Sequence, residues 1–395
     1  MSYNLIALLP GLIALGLSVW VVLPAPIAPL LPLSVGAPEI SPWLVGVNGI
    51  LLGGYLYSWR QLGAGKLGAI ALALITLALI ASLIPLSQWP QINRSAQQAM
   101  AATLGPDEAI QAMPGVVKHQ RTAPFSLAAL LKGIQPAPGR HHQNIPFASP
   151  AGVSLKLDIY QPEAAGTYPA VVIIYGGAWQ RGSPEDSAQL GRYLAAQGYV
   201  VWAIDYRHAP QHPFPAQLED VQTALAFLIQ HAAEYDTDPT RIALFGKSAG
   251  AHLAMLAAYQ PDALPIRAVV NYYGPVDLLA GYYDLPKPDP LDTRSLLVEF
   301  LGGTPDQISD RYRAASPANF MTADLPPTLL IYGGKDRIVM SRFGQALADR
   351  LQAAGNAAVY IRLPWADHAF DAIFNGLSNQ LALYYTERFL AWALR

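Results

Sequence analysis

Arg241–His252 reads Arg-Ile-Ala-Leu-Phe-Gly-Lys-Ser-Ala-Gly-Ala-His. Ile242–Phe245 is a short apolar run that predicts a buried strand. Gly246-Lys247-Ser248-Ala249-Gly250 turns the chain sharply, and the Ala-, Leu- and Met-rich Ala249–Tyr259 predicts a helix. A strand, a tight Gly-x-Ser-x-Gly turn and a helix together make a nucleophile elbow. Such a turn strains the serine backbone, and side chains at positions 246 and 250 would collide with it. The pentapeptide alone arises often by chance. In this context it marks Ser248 as a candidate nucleophile, against the plainer reading of a turn with a capping serine. Lys247 fills a free position of the pentapeptide.

Outward from the turn, strand and helix patterns alternate. Val153–Tyr160 alternates apolar and polar residues, as a strand with one exposed face does. Ala170–Tyr175 is continuously apolar, as a strand covered on both faces is, and Gly176-Gly177-Ala178-Trp179 follows it. Further strands are predicted over Val200–Ile204, Ala268–Tyr273, Thr328–Tyr332 and Ala358–Leu363. Helices are predicted over Ser187–Gln197, Pro215–His231, Ser341–Ala354 and Phe370–Leu394. The alternation implies an α/β fold with a mostly parallel, doubly wound sheet. Ligands bind beyond the carboxyl ends of such strands. Gly177, Ser248, Asp336 and His368 each follow a predicted strand, so they should gather on one edge.

From about Ile145 to the C-terminus the chain resembles α/β-hydrolase esterases of the hormone-sensitive-lipase-like and bacterial carboxylesterase group. Tyr175-Gly176-Gly177-Ala178-Trp179 is similar to the group's His-Gly-Gly-Gly-Trp oxyanion motif. Asp205-Tyr206-Arg207, Pro210, Phe214-Pro215 and Asp220 resemble another of its stretches. The elbow, Ser316-Pro317, Gly333-Gly334-Lys335-Asp336 and Asp367-His368-Ala369-Phe370 complete the set in the expected order. Two positions depart: Tyr175 stands where the group has His, and Ala178 where it has a third Gly. Backbone N–H groups bind at such a site, so Ala serves wherever its φ and ψ permit.

A serine hydroxyl needs an adjacent base, and histidine, with an ordinary pKa of about 6.5, suits the task. His368 fits the chain order Ser…Asp…His. His252 lies one helical turn past Ser248 and reads as packing. His208 and His212 sit in a Pro-rich loop at the expected pocket mouth, and His141 and His142 in a solvated linker. The third member is a carboxylate that orients the imidazole. The resemblance points to Asp336, with Asp371 the stronger rival and Asp367 the weaker. Backbone N–H groups of Gly177, Ala178 and Ala249 are the expected oxyanion hole, each donor contributing about 3 kcal/mol to the transition state. Asp205, Arg207 and Asp220 read as structural. No metal-ligand spacing and no phosphate-binding loop is present, so no metal and no cofactor is expected.

The first 94 residues differ in kind. Of the chain's 25 basic and 27 acidic residues, only Glu39, Arg60, Lys66 and Arg94 fall there. Leu5–Leu23, Trp43–Trp59 and Leu67–Leu86 are uncharged stretches that predict three transmembrane helices. Pro24–Pro42 is read as an extended loop. Arg60 and Lys66 flank one turn, whereas the 24–42 loop holds only Glu39, which places the turn in the cytoplasm and the chain after Leu86 outside. The expected organisation is a membrane region over 1–87, a connector over 88–143 and an α/β-hydrolase domain over 144–395. Within the connector, Gln91–Thr103 predicts a surface helix, and Pro124–Ile134 has an apolar face suited to a lid, a membrane contact or plain packing. Gln135–His142 reads as a linker.

The net charge of −2 gives no reason to expect nucleic acid, and the absence of cysteine excludes a thiol nucleophile. The expected partners are the lipid bilayer and a small-molecule or lipid ester. The sequence thus predicts a membrane-anchored serine carboxylesterase with an extracytoplasmic catalytic domain. Amide or formamide hydrolysis and acyl transfer would use the same residues. An alternative of another class is an inactive hydrolase fold serving as a receptor or scaffold.

Overall fold

The computed structural model describes residues 8–62, 65–106, 120–135 and 138–395, and helices precede any strand in it. They are α1 (Leu9–Ser18, continued as a 3-10 turn to Val21), α2 (Leu31–Glu39), α3 (Ser41–Leu62) and α4 (Lys66–Leu104). Ala14, Ile75 and Ala78 are buried between them, with Leu51, Leu52 and Tyr55 packed alongside. Asn48 donates to the Ser18 and Ser82 hydroxyls at 3.0 and 3.1 Å, which ties α1, α3 and α4 together. Small residues and interhelical hydrogen bonds hold helices together where water supplies no hydrophobic drive. The outer faces expose Leu12, Ile13, Leu17, Val47, Ile50, Leu77 and Ile80. Among the described residues, α4 is the one helix long and apolar enough to cross a membrane. Ala28–Glu39 and Ser41–Gln61 reach that mark only as a pair bent by 79°, and Leu9–Val21 is shorter. Residues 5–7 of the first predicted span lie outside the described residues.

Four expectations about the first 142 residues change here. The Pro24–Pro42 stretch is not an extended loop: a 3-10 turn over Ala28–Leu30 leads into α2. Pro29 and Pro32 fall in the opening turns, where a missing N–H costs nothing. The predicted surface helix 91–103 is the far half of α4, which runs on through Pro85 and Pro90. The predicted lid contains only α5 (Leu127–Lys132), capped by Ser126. The linker 135–142, of which 136 and 137 lie outside the described residues, already holds the start of a strand.

The strands are β1 (Gly139–Ala148), β2 (Leu155–Pro162), β3 (Tyr168–Ile174), β4 (Val200–Ile204), β5 (Thr237–Lys247), β6 (Ala268–Tyr272), β7 (Thr328–Gly333) and β8 (Ala358–Leu363). Among the described residues they form one eight-stranded sheet, ordered β1-β2-β4-β3-β5-β6-β7-β8. β2 pairs antiparallel with β1 and β4, and the neighbours from β4 onward are parallel. The helices among them are α6 (Ala188–Ala195), α7 (Ala216–His231), α8 (Ala249–Tyr259), α9 (Leu278–Tyr283), α10 (Thr293–Leu301), α11 (Pro305–Ala314), α12 (Ser341–Ala353) and α13 (Leu377–Ala393). Helices cover both faces, so Val171, Val172, Leu244, Val269, Leu330 and Val359 are wholly buried. His141 and His142 lie in β1 and not in a linker; His142 is exposed as expected, whereas His141 is half-buried and stacks on Tyr160 at 4.1 Å. The last helix starts seven residues later than predicted, because 370–376 form the loop behind His368.

The far half of α4 lies on the hydrolase unit. Ala96, Met100 and Leu104 join its core, Thr103 Oγ1 donates to the Ala358 carbonyl of β8, and Tyr385 Oη of α13 donates to the Asn93 carbonyl at 2.8 Å. This helix shields the β8 edge of the sheet, where unpaired backbone groups would otherwise invite another strand. α5 sits against the start of α13: Gln380 accepts from the Ser126 N–H at 2.8 Å, and Asn375 donates to the Leu130 carbonyl at 2.8 Å.

Candidate active site

β5 ends in the elbow. Ser248 has φ 51° and ψ −122°, a backbone state that L-residues rarely adopt and that costs about 1–3 kcal/mol. The surrounding glycines permit it: a Cβ at Gly250 would lie 2.1 Å from the Ile174 carbonyl oxygen, and one at Gly246 2.3 Å from the Ala251 nitrogen. The Ser248 N–H donates to the Tyr272 carbonyl at 2.9 Å, which pins the turn to β6.

Ser248, His368 and Asp336 come together although they are far apart in the chain. Ser248 Oγ lies 2.9 Å from His368 Nε2, and His368 Nδ1 lies 2.7 Å from Asp336 Oδ2. A carboxylate only accepts, so it holds the imidazole proton on Nδ1 and leaves Nε2 to accept from the serine hydroxyl. The other Asp336 oxygen accepts the backbone N–H groups of Ile338 and Val339, both at 2.8 Å. Burial pushes the His368 pKa down. The Asp336 carboxylate, with Asp367 and Asp371 behind it, outweighs burial and leaves it above the ordinary histidine value.

The rivals are otherwise engaged. Asp371 pairs with Lys247 Nζ at 2.6 Å and accepts from the Tyr273 hydroxyl. Lys247, which had no role in the sequence reading, thereby occupies the rival acid. Asp367 accepts the backbone N–H of His368 at 2.8 Å and faces Ser34, away from the imidazole. His252 is buried: its Nε2 donates to the Ala315 carbonyl at 2.6 Å and its Nδ1 accepts from Trp179 Nε1 at 3.1 Å. Burial pushes its pKa down to about 4, so it is a neutral packing residue. His208 Nε2 lies 2.9 Å from the Tyr175 hydroxyl, and neither it nor His212 lines the cavity described below.

Gly177, Ala178 and Ala249 line the same cavity as Ser248. Gly177 has φ 132°, and a Cβ there would fall 2.0 Å from the Arg181 carbonyl oxygen. Ala178 takes up φ 55° in place of the glycine of the related motif. Ala249 opens α8, so its N–H has no intrahelical acceptor and is free to serve a ligand. Trp179 stacks on Phe300 at 4.1 Å and holds the outer end of this loop. Tyr175, in place of the related histidine, donates to Asp205 at 2.5 Å and stacks on Tyr206 at 4.5 Å. These contacts anchor the start of the Gly176–Trp179 loop. Arg207 binds the Asp220 carboxylate through Nε at 2.9 and 2.8 Å, a pairing the sequence did not indicate.

Ser248 and His368 open into a cavity of about 510 Å3. Gly176–Trp179 and Ala249 line one side, and Leu278, Leu285, Leu291, Leu296, Leu297, Ile338, Val339 and Phe343 the other. Most of that apolar wall comes from the stretch between β6 and β7, where no helix was expected. One signal was available: Leu296, Leu297, Phe300 and Leu301 form one helical face before Gly302-Gly303. No residue of 124–134 lines the cavity. Tyr273 was also missed; its ring lies 4.6 Å from that of His368.

Comparisons agree with this geometry. The BD-FAE family profile matches residues 157–351. The chain is 34% identical over 251 residues to "Probable carboxylic ester hydrolase LipM" of Mycobacterium tuberculosis, covering 60% of this chain and 57% of that protein. It is 36% identical over 240 residues to "Esterase LipC" of the same organism, covering 55% and 57%. Both alignments span less than two thirds of the relative. The butyrate-bound esterase Est2 of Thermogutta terrifontis superposes with a TM-score of 0.52 at 28% identity, over 63% of this chain and 91% of that one. Parallel sheet, elbow and sequence match thus converge on an α/β-hydrolase fold, whose residues 157–351 match the BD-FAE family and which is similar to carboxylesterases.

Proposed function

We propose that this protein is a membrane-anchored serine carboxylesterase whose catalytic domain lies outside the cytoplasm. The observation that carries the reading is the hydrogen-bonded run Ser248–His368–Asp336 at the wall of an apolar cavity. His368 takes the Ser248 hydroxyl proton as Oγ attacks the ester carbonyl. The oxyanion is met by the N–H groups of Gly177, Ala178 and Ala249. Collapse breaks the ester C–O bond, and the alcohol leaves with the proton held by His368. Water then gives a proton to His368, attacks the acyl-Ser248 carbonyl and releases the acid, and Ser248 regains its proton. The apolar wall and the butyrate of Est2 support an uncharged ester with an apolar acyl chain.

The exposed apolar faces of α1, α3 and α4 support the anchor. The basic residues Arg60 and Lys66 at the α3–α4 turn support a cytoplasmic turn. Ser248→Ala should lower hydrolysis of p-nitrophenyl butyrate by roughly 10⁴-fold or more with the circular dichroism spectrum unchanged. Wild-type turnover in that variant would contradict the assignment.

A further inference from the structure

The loops that carry Asp336 and His368 rest on the apolar N-terminal helices. Lys335, the residue before Asp336, donates from Nζ to the Trp20 carbonyl at 2.8 Å and to the Ser34 carbonyl at 3.4 Å. Asp367, the residue before His368, accepts the Ser34 hydroxyl on Oδ2 and the His368 backbone N–H on Oδ1. The two loops are joined to each other, because the Lys335 N–H donates to the Ala366 carbonyl at 2.9 Å. Behind them, Glu39 of α2 accepts the Ser378 N–H at 2.7 Å in the first turn of α13. A Cβ at Gly376 would come within 2.6 Å of the Glu39 carboxylate, so the fit is close.

Ser34, Glu39 and Asp367 are almost wholly buried in this contact. Apolar packing alone would dock two bodies. Buried polar groups cost free energy unless their partners stand in fixed places, so they set one geometry rather than mere adhesion. Here that geometry is imposed one residue away from both the acid and the base.

We propose that Ser34 is a positioning residue for the Asp336–His368 pair, with Asp367 and Lys335 transmitting its hold. The N-terminal helices are then part of the working site and not only an anchor. The inference rests on the triad reading above. Misplacement of a catalytic group by an ångström slows the chemical step while leaving substrate binding in place, so kcat and not KM should respond.

The test uses the full-length chain in lipid nanodiscs. A fluorophosphonate titration counts competent serines, so kcat is expressed per titrated site. Ser34→Ala should lower kcat for p-nitrophenyl butyrate roughly tenfold with KM nearly unchanged. Ser34→Thr keeps the hydroxyl and should recover most of the loss. Lys335→Met removes the second tether and should behave like Ser34→Ala. Wild-type kcat per titrated site in both Ser34→Ala and Lys335→Met, whatever the fall in Tm, would overturn the proposal while leaving the triad intact. Turnover that survives Ser248→Ala would overturn the triad reading itself, and the proposal with it.

Discussion

Ser248 and Ala178 hold positive φ values that free peptides avoid, and the surrounding fold bears that strain. Asp336 and Asp371 both lie near His368, yet only Asp336 is hydrogen-bonded to its ring. Asp336→Asn should therefore lower kcat roughly 10⁴-fold, because an amide can donate to Nδ1 and favour the wrong tautomer. The wild-type acid limb of kcat/KM should lie above pH about 6.5, since activity needs neutral His368 and is lost as pH falls through its raised pKa. Removing the Asp336 charge should move that limb to lower pH. Asp371→Asn should instead lower Tm, by leaving Lys247 without its counter-charge, and change kcat far less. Loss of activity in Asp371→Asn, with Asp336→Asn spared, would reverse the assignment of the acid.

The elements differed in how openly the sequence displayed them. The inner strands were legible because burial on both faces writes them as unbroken apolar runs, such as Val200–Ile204 and Ala170–Ile174. β1 was not, because an edge strand tolerates the polar run Arg140–Asn144. α9 and α10 were hidden by Pro286, Pro288 and Pro290 between them, and α2 by its prolines. Motif and chain order pointed to Ser248, Asp336 and His368 as the proposed triad, in which His368 stands within hydrogen-bond reach of both partners. The Ser34–Asp367 contact joins residues 333 apart and left no local pattern. Most of the apolar cavity wall belongs to α9, α10 and the loop between them, and the lid expectation can be tested against it. Leu296→Asp should raise KM for p-nitrophenyl octanoate roughly tenfold more than for the acetate, the loss of about two methylene contacts at about 0.8 kcal/mol each. Leu127→Asp, on the exposed face of α5, should change neither. Equal effects of Leu296→Asp on both esters would contradict this account of the acyl site.

On the scale of the whole molecule, α4 is the axis. Its 39 residues run roughly 58 Å at 1.5 Å per residue, from Lys66 to the hydrolase unit. α2 meets the same unit through Ser34 and Glu39, and Lys66 stands at the other end of α4. The chain has no cysteine, so single cysteines report cleanly. Ser34 and Ser378 are buried and unsuited to labelling, whereas Ala28, Gln61 and Thr223 are exposed. Ala28→Cys and Thr223→Cys should react with an impermeant maleimide in intact cells, and Gln61→Cys only after lysis. The reverse pattern would place the hydrolase unit in the cytoplasm. The central claim is that Ser248, activated by His368 and Asp336, is the nucleophile. The most direct measurement is covalent labelling of the full-length protein with a fluorophosphonate, mapped by peptide mass spectrometry. The account predicts one label per chain, on Ser248, and none in His368→Ala on the same timescale. Failure of the wild-type protein to label, or labelling at another serine, would contradict it.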